Sequence, residues 1–317
     1  MENCPALQDL EACLLNSSEP IAKRTHAAFF LRTLGTGEAV EVICRAVVDS
    51  SDSPLLRHEL CYILGQMQNS SACPTLSAIL SDCADDVMVR HEAGEALGAI
   101  GDEGSFEILE KFCDDPAIEV SETCKLALDL IRWKRDQAAA AAAGEAAPAA
   151  GEEGELDRNP YLSVDPAPAE AAAETVAGLR AKLLDPSLGL FARYRAMFSL
   201  RNRGTEEAVL ALADGLGDPS ALFRHEVAYV LGQVQHPASV PALCAALEKQ
   251  GENRMVRHEA AEALGAIGGA RAQRVLQEYL DDQEGCVKES CEVALDTMDY
   301  WAKHGIGGRG VLQEYLD

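Results

Sequence analysis

The chain has 317 residues, 48% of them hydrophobic, which is enough for two domains of ordinary size, each with its own core. With 27 basic against 52 acidic side chains the net charge is −25, which disfavours nucleic acid and anionic membrane as partners and favours a basic or polyamine-like one. Eleven cysteines without a C-x-x-C pair, and a beginning, MENCPALQDLEACLLN, without the marks of a signal peptide, lead us to expect a reducing compartment and a cytoplasmic protein.

Taken in chain order, the elements repeat. HAAFFLR at 26–32 is followed by LLRHELCYILGQMQ at 55–68 and MVRHEAGEALGAIG at 88–101, in which Val89, Ala93, Ala96, Leu97 and Ile100 fall on one helical stripe. Turn signals stand at Gly101-Asp102 and Asp115-Pro116, and ETCKLALD follows at 122–129. After an Ala-, Gly-, Pro- and Glu-rich stretch the series recurs as RAMFSLR at 195–201, LFRHEVAYVLGQVQ at 222–235, MVRHEAAEALGAIG at 255–268 and ESCEVALD at 289–296. No stretch alternates apolar and polar residues with β-branched enrichment, and no apolar run approaches the ~20 residues of a membrane span. The expected fold is all-α, a HEAT-like α-solenoid with two halves of about four helical hairpins each, facing one another across a flexible linker. The expected boundaries are 1–135 for the first half, 136–170 for the linker and 171–301 for the second half. The tail 302–317 is unassigned, since its last heptapeptide repeats VLQEYLD of 275–281.

Four His-Glu dipeptides, each after Arg, mark the inner units: His58-Glu59, His91-Glu92, His225-Glu226 and His258-Glu259. They are 33 residues apart within a half and 167 apart between halves. Around them Leu60 becomes Val227, Cys61 becomes Ala228, Ile63 becomes Val230 and Gly94 becomes Ala261, while Arg-His-Glu is kept four times. Four imidazoles and four carboxylates in a two-by-two array supply the donors of a di-iron or di-manganese centre, and the scarcity of thiolate argues against copper(I) and iron–sulfur clusters. One Glu of each half can bind metal while the other lines the pocket. Tyr62, Tyr229, Glu95 and Glu262, four residues past each His, are candidates to line that pocket or to support a ligand from behind. Gly65, Gly98, Gly232 and Gly265 are read as structural, ending a helix or letting neighbouring helices approach. His26, His236 and His304 lie in no repeated context and are read as surface or packing residues.

At these residues the chain resembles the deoxyhypusine hydroxylases, HEAT-repeat di-iron monooxygenases. The resemblance covers nearly the whole sequence through the four RHE units, the EALGAIG and LGQ tails, YRAMFSLRN at 194–202 and NPYLSVDPAP at 159–168. It implies an O2-dependent enzyme that converts the deoxyhypusine side chain of a translation factor to hypusine. It also implies two Fe2+ ions, one held by His58, His91 and Glu92 and the other by His225, His258 and Glu259. By the same carry-over Glu59 and Glu226 receive the substrate's amino groups and remain available as further metal ligands. The protein partner would be the translation factor in its deoxyhypusine form. The competing reading is a non-catalytic HEAT-repeat adaptor for a basic protein, which needs no His-Glu array.

Overall fold

Among the residues that the computed structural model describes, 5–143, 159–170 and 174–304, every regular element is helical. The first half pairs α1 (Leu7–Leu14) with α2 (Ile21–Leu34), α3 (Gly37–Val47) with α4 (Pro54–Met67), α5 (Cys73–Ser81) with α6 (Val87–Ile100) and α7 (Ser105–Lys111) with α8 (Ile118–Ala142). The second half repeats the plan with α9 (Val176–Leu183) and α10 (Leu190–Arg203), α11 (Glu206–Ala213) and α12 (Ala221–Val234), α13 (Val240–Glu248) and α14 (Arg254–Ile267), and α15 (Ala270–Glu278) and α16 (Gly285–His304). Four hairpins per half is the expected solenoid. Each half has its own apolar core, and Leu55, Met88 and Leu126 of the first half pack into the second. None of these helices is long and apolar enough to cross a membrane.

The four Arg-His-Glu helices start in the same way. Ser53, Asp86, Ser220 and Asn253 are their N-caps, each accepting a hydrogen bond from a backbone N–H of the first turn at 2.9–3.2 Å. Such a cap is worth about 1 kcal/mol. Each His stands five residues past its cap, so the cap fixes where along the helix, and on which face, the imidazole emerges.

The Arg of each triplet has a separate task. Arg57 Nε donates to the Val47 carbonyl at 2.8 Å and its two terminal nitrogens grip Asp85 at 2.6 Å. Arg90 does the same with Leu80 and Asp115, and Arg257 with Leu247 and Asp282. Arg24 and Arg193, in repeats that lack His-Glu, also bond the carbonyl ten residues earlier, Leu14 and Leu183. The arginines therefore clamp one hairpin to the next from the rear of the helix, with bidentate carboxylate partners. Arg224 departs from the pattern: it reaches Asp218 and Glu252, and its Nε has no hydrogen-bond partner. The interval from Arg193 to Arg224 is two residues shorter than that from Arg24 to Arg57, and a short 3-10 turn, Asp214–Gly217, takes up the missing length.

The halves close on each other into a ring, with α8 against α10 and α12, and α16 against α2 and α4. Crossed pairs mark the approximate two-fold. Ser53 Oγ donates to Glu289 at 2.5 Å and Ser220 Oγ to Glu122 at 2.6 Å, so two N-caps double as clasps between halves. The stretch expected as a linker is partly structured. Helix α8 runs through the first alanines to Ala142, as polyalanine favours. Residues 159–170 lie folded against both halves, through Gln66 on one side and Arg195, Arg201 and Gln233 on the other. Pro and Gly content hid these polar anchors. Residues 144–158 of that stretch, 171–173 at the start of the expected second half and 305–317 of the tail lie outside the described residues.

Candidate metal centre

Helices α4, α6, α12 and α14 line up side by side at the middle of the ring and bring all four predicted imidazoles into one cluster. The ring centroids of His58 and His91 are 5.4 Å apart, those of His225 and His258 5.3 Å, and the cross-half pairs His58–His258 and His91–His225 are 5.0 and 5.3 Å. The four carboxylates come with them, and all eight residues are buried. Within the first half, Glu92 Oε2 lies 3.3 Å from His58 Nε2 and 4.0 Å from His91 Nε2. The second half reproduces this, with Glu259 Oε2 at 3.4 Å from His225 Nε2 and 4.0 Å from His258 Nε2. Each half thus presents two imidazoles and one carboxylate to a common point. Donor atoms of His58, His91 and Glu92 all fall within 4.8 Å of one another, as do those of His258, Glu259 and Glu262, and of His58, His225 and His258, a group that spans both halves. The distances within each half repeat under the two-fold.

Glu59 and Glu226 are placed differently. Glu59 Oε1 lies 3.1 Å from His58 Nδ1, while Glu226 Oε1 is buried with no hydrogen-bond partner. The ring nitrogens of His91, His225 and His258, and Nε2 of His58, likewise lack hydrogen-bond partners although they are out of contact with water. Burial and the neighbouring imidazoles push His91 well below its usual 6.5, and His225 and His258 follow for the same reasons. Burial would lower His58 as well, but the carboxylates of Glu92 and Glu59 outweigh it and raise that imidazole well above 6.5. Burial, followed by mutual repulsion, raises Glu95 and Glu259 well above the ordinary 4.5 and Glu226 to about 8. Crowded carboxylates in a dry site resist ionisation unless a cation joins them.

A cavity of about 820 Å³ runs from these residues to the outside. Its walls include apolar and aromatic side chains, Phe29 and Phe30 of α2, Tyr161 and Leu162 of the 159–170 segment, and Val293 and Trp301 of α16. Inside, the Tyr62 and Tyr229 hydroxyls hydrogen-bond across the two-fold at 2.8 Å, and Gln233 donates to Tyr229 at 3.0 Å. Glu95 and Glu262 also line the cavity.

The expected structural glycines lie inside their helices, where they let neighbours approach: a Cβ on Gly98 would sit 2.5 Å from that of Ala127. His26, read from sequence as surface or packing, lines the cavity mouth and stands 3.6 Å from Asp296. His236 caps a short turn by accepting from the Ala238 N–H. The side chain of His304 is outside the described residues. Sequence reasoning assigned no role at the site to Gln233, in the LGQ tail, or to Ser290, in ESCEVALD, and it used NPYLSVDPAP of the 159–170 segment only as a family motif.

Comparison with known proteins agrees with this arrangement. HEAT repeats match at residues 7–88, 46–129, 191–251 and 209–296. The deoxyhypusine hydroxylase of Danio rerio is 54% identical over 300 residues, covering 95% of this chain and 94% of its own, and that of Homo sapiens is 53% identical over 287, covering 90% and 89%. The chain belongs to the deoxyhypusine hydroxylase family. Its fold is that of the family: the structure of human deoxyhypusine hydroxylase in complex with glycerol superimposes with a TM-score of 0.84 at 51% identity, over 93% of this chain and 96% of that one. Drosophila melanogaster deoxyhypusine hydroxylase is 49% identical over 92% of both chains. The chain is accordingly an enzyme of the hydroxylase type, with clusters of histidine and glutamate suited to a metal cofactor.

Proposed function

We propose that the chain is a non-haem di-iron monooxygenase that hydroxylates the deoxyhypusine side chain of a translation factor to hypusine with O2. The observation that carries this reading is the pair of buried two-His, one-Glu sets, related by the two-fold and facing one another. Two imidazoles and a carboxylate with free coordination positions are the donor set of iron(II) oxygenases. The residues fit such ions on their own chemistry. Buried imidazoles with unsatisfied nitrogens, of which His91, His225 and His258 resist protonation, and carboxylates that cannot ionise together form a site suited to added positive charge.

His58, His91 and Glu92 would hold one iron, and His225, His258 and Glu259 the other. When bound, the ions supply the activation of O2 that hydroxylation of an unactivated C–H bond demands, beyond the reach of acid–base side chains. The protein supplies the rest. The apolar walls shield the aliphatic arm of deoxyhypusine from water, and Glu59 and Glu226 accept charge-assisted hydrogen bonds from its nitrogens. The Tyr62–Tyr229 bridge ties the two halves at the site and fixes the width of the pocket. The net charge of −25 attracts a basic protein to the mouth.

The test is metal content per chain together with the mass of a deoxyhypusine peptide incubated with the iron-loaded protein and O2. Two irons and the gain of one oxygen atom are expected. A protein that takes up no iron under anaerobic loading would overturn the reading and leave the adaptor.

A further inference from the structure

The ring has two seams related by its approximate two-fold, and they differ. At the α2/α16 seam the cavity reaches the outside past Val293, Ala294 and Thr297. Their counterparts 167 residues earlier are Leu126, Ala127 and Leu130 on α8, at the seam with α10. There they line a void of only about 10 Å³, walled off by Pro166. The same substitution of contents is seen on the partner helices. His26 and Phe30 of α2 face the open cavity, whereas their α10 equivalents, Arg195 and Ser199, are bonded to the 159–170 segment.

That filling is built to stay. Asp165 accepts from both terminal nitrogens of the fully buried Arg201 at 2.8 and 2.7 Å. Arg195 donates to the Pro168 carbonyl at 3.2 Å, the Glu170 N–H to Ser199 Oγ at 2.7 Å, and Ala167 is fully buried. The carboxylates behind the two seams, Glu262 and Glu95, are both partly exposed. Glu262 has a side chain 25% exposed to the open cavity, against 10% or less for Glu59, Glu92 and Glu259. One oxygen of Glu262, Oε1, approaches His258 Nδ1 at 3.5 Å and Ser290 Oγ at 3.4 Å. Its counterpart Glu95 lines the same cavity from the other half and also stands beneath Pro166.

We propose that residues 163–170 are a plug closing one of two equivalent entrances, so that an extended cationic side chain enters only between α2 and α16 and meets Glu262 as its first carboxylate. This rests on the hydroxylase reading and deepens it. A duplicated ring with both seams open would admit the arm in two opposite directions and present its carbons to the two metal sets alike. The plug removes that ambiguity and makes the two halves of a symmetric donor array unequal toward substrate. Glu262 supplies the charge that draws an ammonium group in, and the apolar mouth suits the methylenes that follow.

The experiment is calorimetric titration of the iron-loaded full-length protein with a short peptide bearing deoxyhypusine, for wild type, Glu262→Gln, Thr297→Trp and Leu130→Thr. Loss of one charge-assisted contact predicts about tenfold or more weaker binding in E262Q. T297W, which narrows the open mouth without touching a metal-binding residue, is expected to weaken binding as well. L130T, which gives the plugged seam the residue of the open one, is expected to bind as wild type does. Binding unchanged in both E262Q and T297W would overturn the inference alone. If E262Q also loses iron, T297W decides, and normal binding by that variant overturns the single entrance. A wild-type protein that does not bind the peptide would overturn the hydroxylase reading and this inference with it.

Discussion

Gly98→Ala and Gly94→Ala, one turn apart on α6, should move stability in opposite directions. A Cβ at Gly98 would lie 2.5 Å from Ala127 Cβ and 2.9 Å from Ala127 Cα, both carried by the backbone of α8. Carbon atoms in contact settle at about 3.5–4.0 Å, so the two helices would have to part by about 1 Å, since no side chain can rotate away. Overpacking of this kind costs about 1–3 kcal/mol, and a rigid neighbour places it near the upper end. Alanine returns about 1 kcal/mol of helix propensity, leaving a net loss of about 2 kcal/mol. At Gly94 the nearest atom is Thr123 Cγ2 at 3.4 Å, an ordinary contact, and the second half already has Ala261 there. Only the propensity gain remains, about 0.5–1 kcal/mol. Thermal unfolding followed by circular dichroism should show G98A melting about 4 °C lower and G94A about 1–2 °C higher than wild type. Equal or raised stability in G98A would refute the claim that these glycines set the spacing of the site helices.

Arg90→Met should cost about 3–5 kcal/mol in urea unfolding, because it strands a buried Asp115 carboxylate and the Leu80 carbonyl; a loss under 1 kcal/mol would show that the clamp is dispensable. Burial would raise Asp85, Asp115 and Asp282, yet their arginine partners hold all three below the ordinary 3.8. A carboxyl depressed on folding stabilises above its unfolded value and loses that contribution as pH falls through the folded one. Urea midpoints should therefore hold down to about pH 4 and drop below it, and R90M should lose part of that acid-limb slope. His91→Ala, with the cluster's other members intact, should bind fewer than two irons per chain by elemental analysis while its far-ultraviolet circular dichroism stays helical; retention of both ions would remove His91 from the ligand set. Glu226→Gln should keep its iron and raise KM for a deoxyhypusine peptide about tenfold, with a smaller change in kcat, if its unpartnered oxygen receives the substrate's nitrogen.

The clustering of the histidines and glutamates was legible because duplication made their spacing visible. His58, His91, His225 and His258 recur at 33 and 167, and the helical period that carries them also predicts four capped helices lying side by side. The arginine before each His was read as part of the same motif, yet it belongs to the scaffold. The signal was present in Arg24, Arg57 and Arg90, which run at intervals of 33 and begin one repeat before the first His-Glu. The 159–170 segment was illegible for another reason. Its hold on the ring comes from single long-range contacts, Asp165 to Arg201 and Val164 to Gln66, that leave no periodicity. Nor could sequence tell that of Glu262 and Glu95, which both line the open cavity and have nearly the same local context, only Glu95 also stands beneath the stopper.

Among the described residues, the 159–170 segment between the halves lies beside the stoppered seam, while the seam that admits the cavity is held by side-chain contacts such as His26 with Asp296. The ring is laid out like a clothes-peg, with the segment between the halves at one end and side-chain contacts at the other. Widening at the α2/α16 lips would leave the backbone of the 159–170 segment unstretched. The contacts that tie the clustered imidazoles to one another through the tethered end can stay in register meanwhile. A bulky protein can thus be accommodated at the lips without loosening the donor atoms behind them.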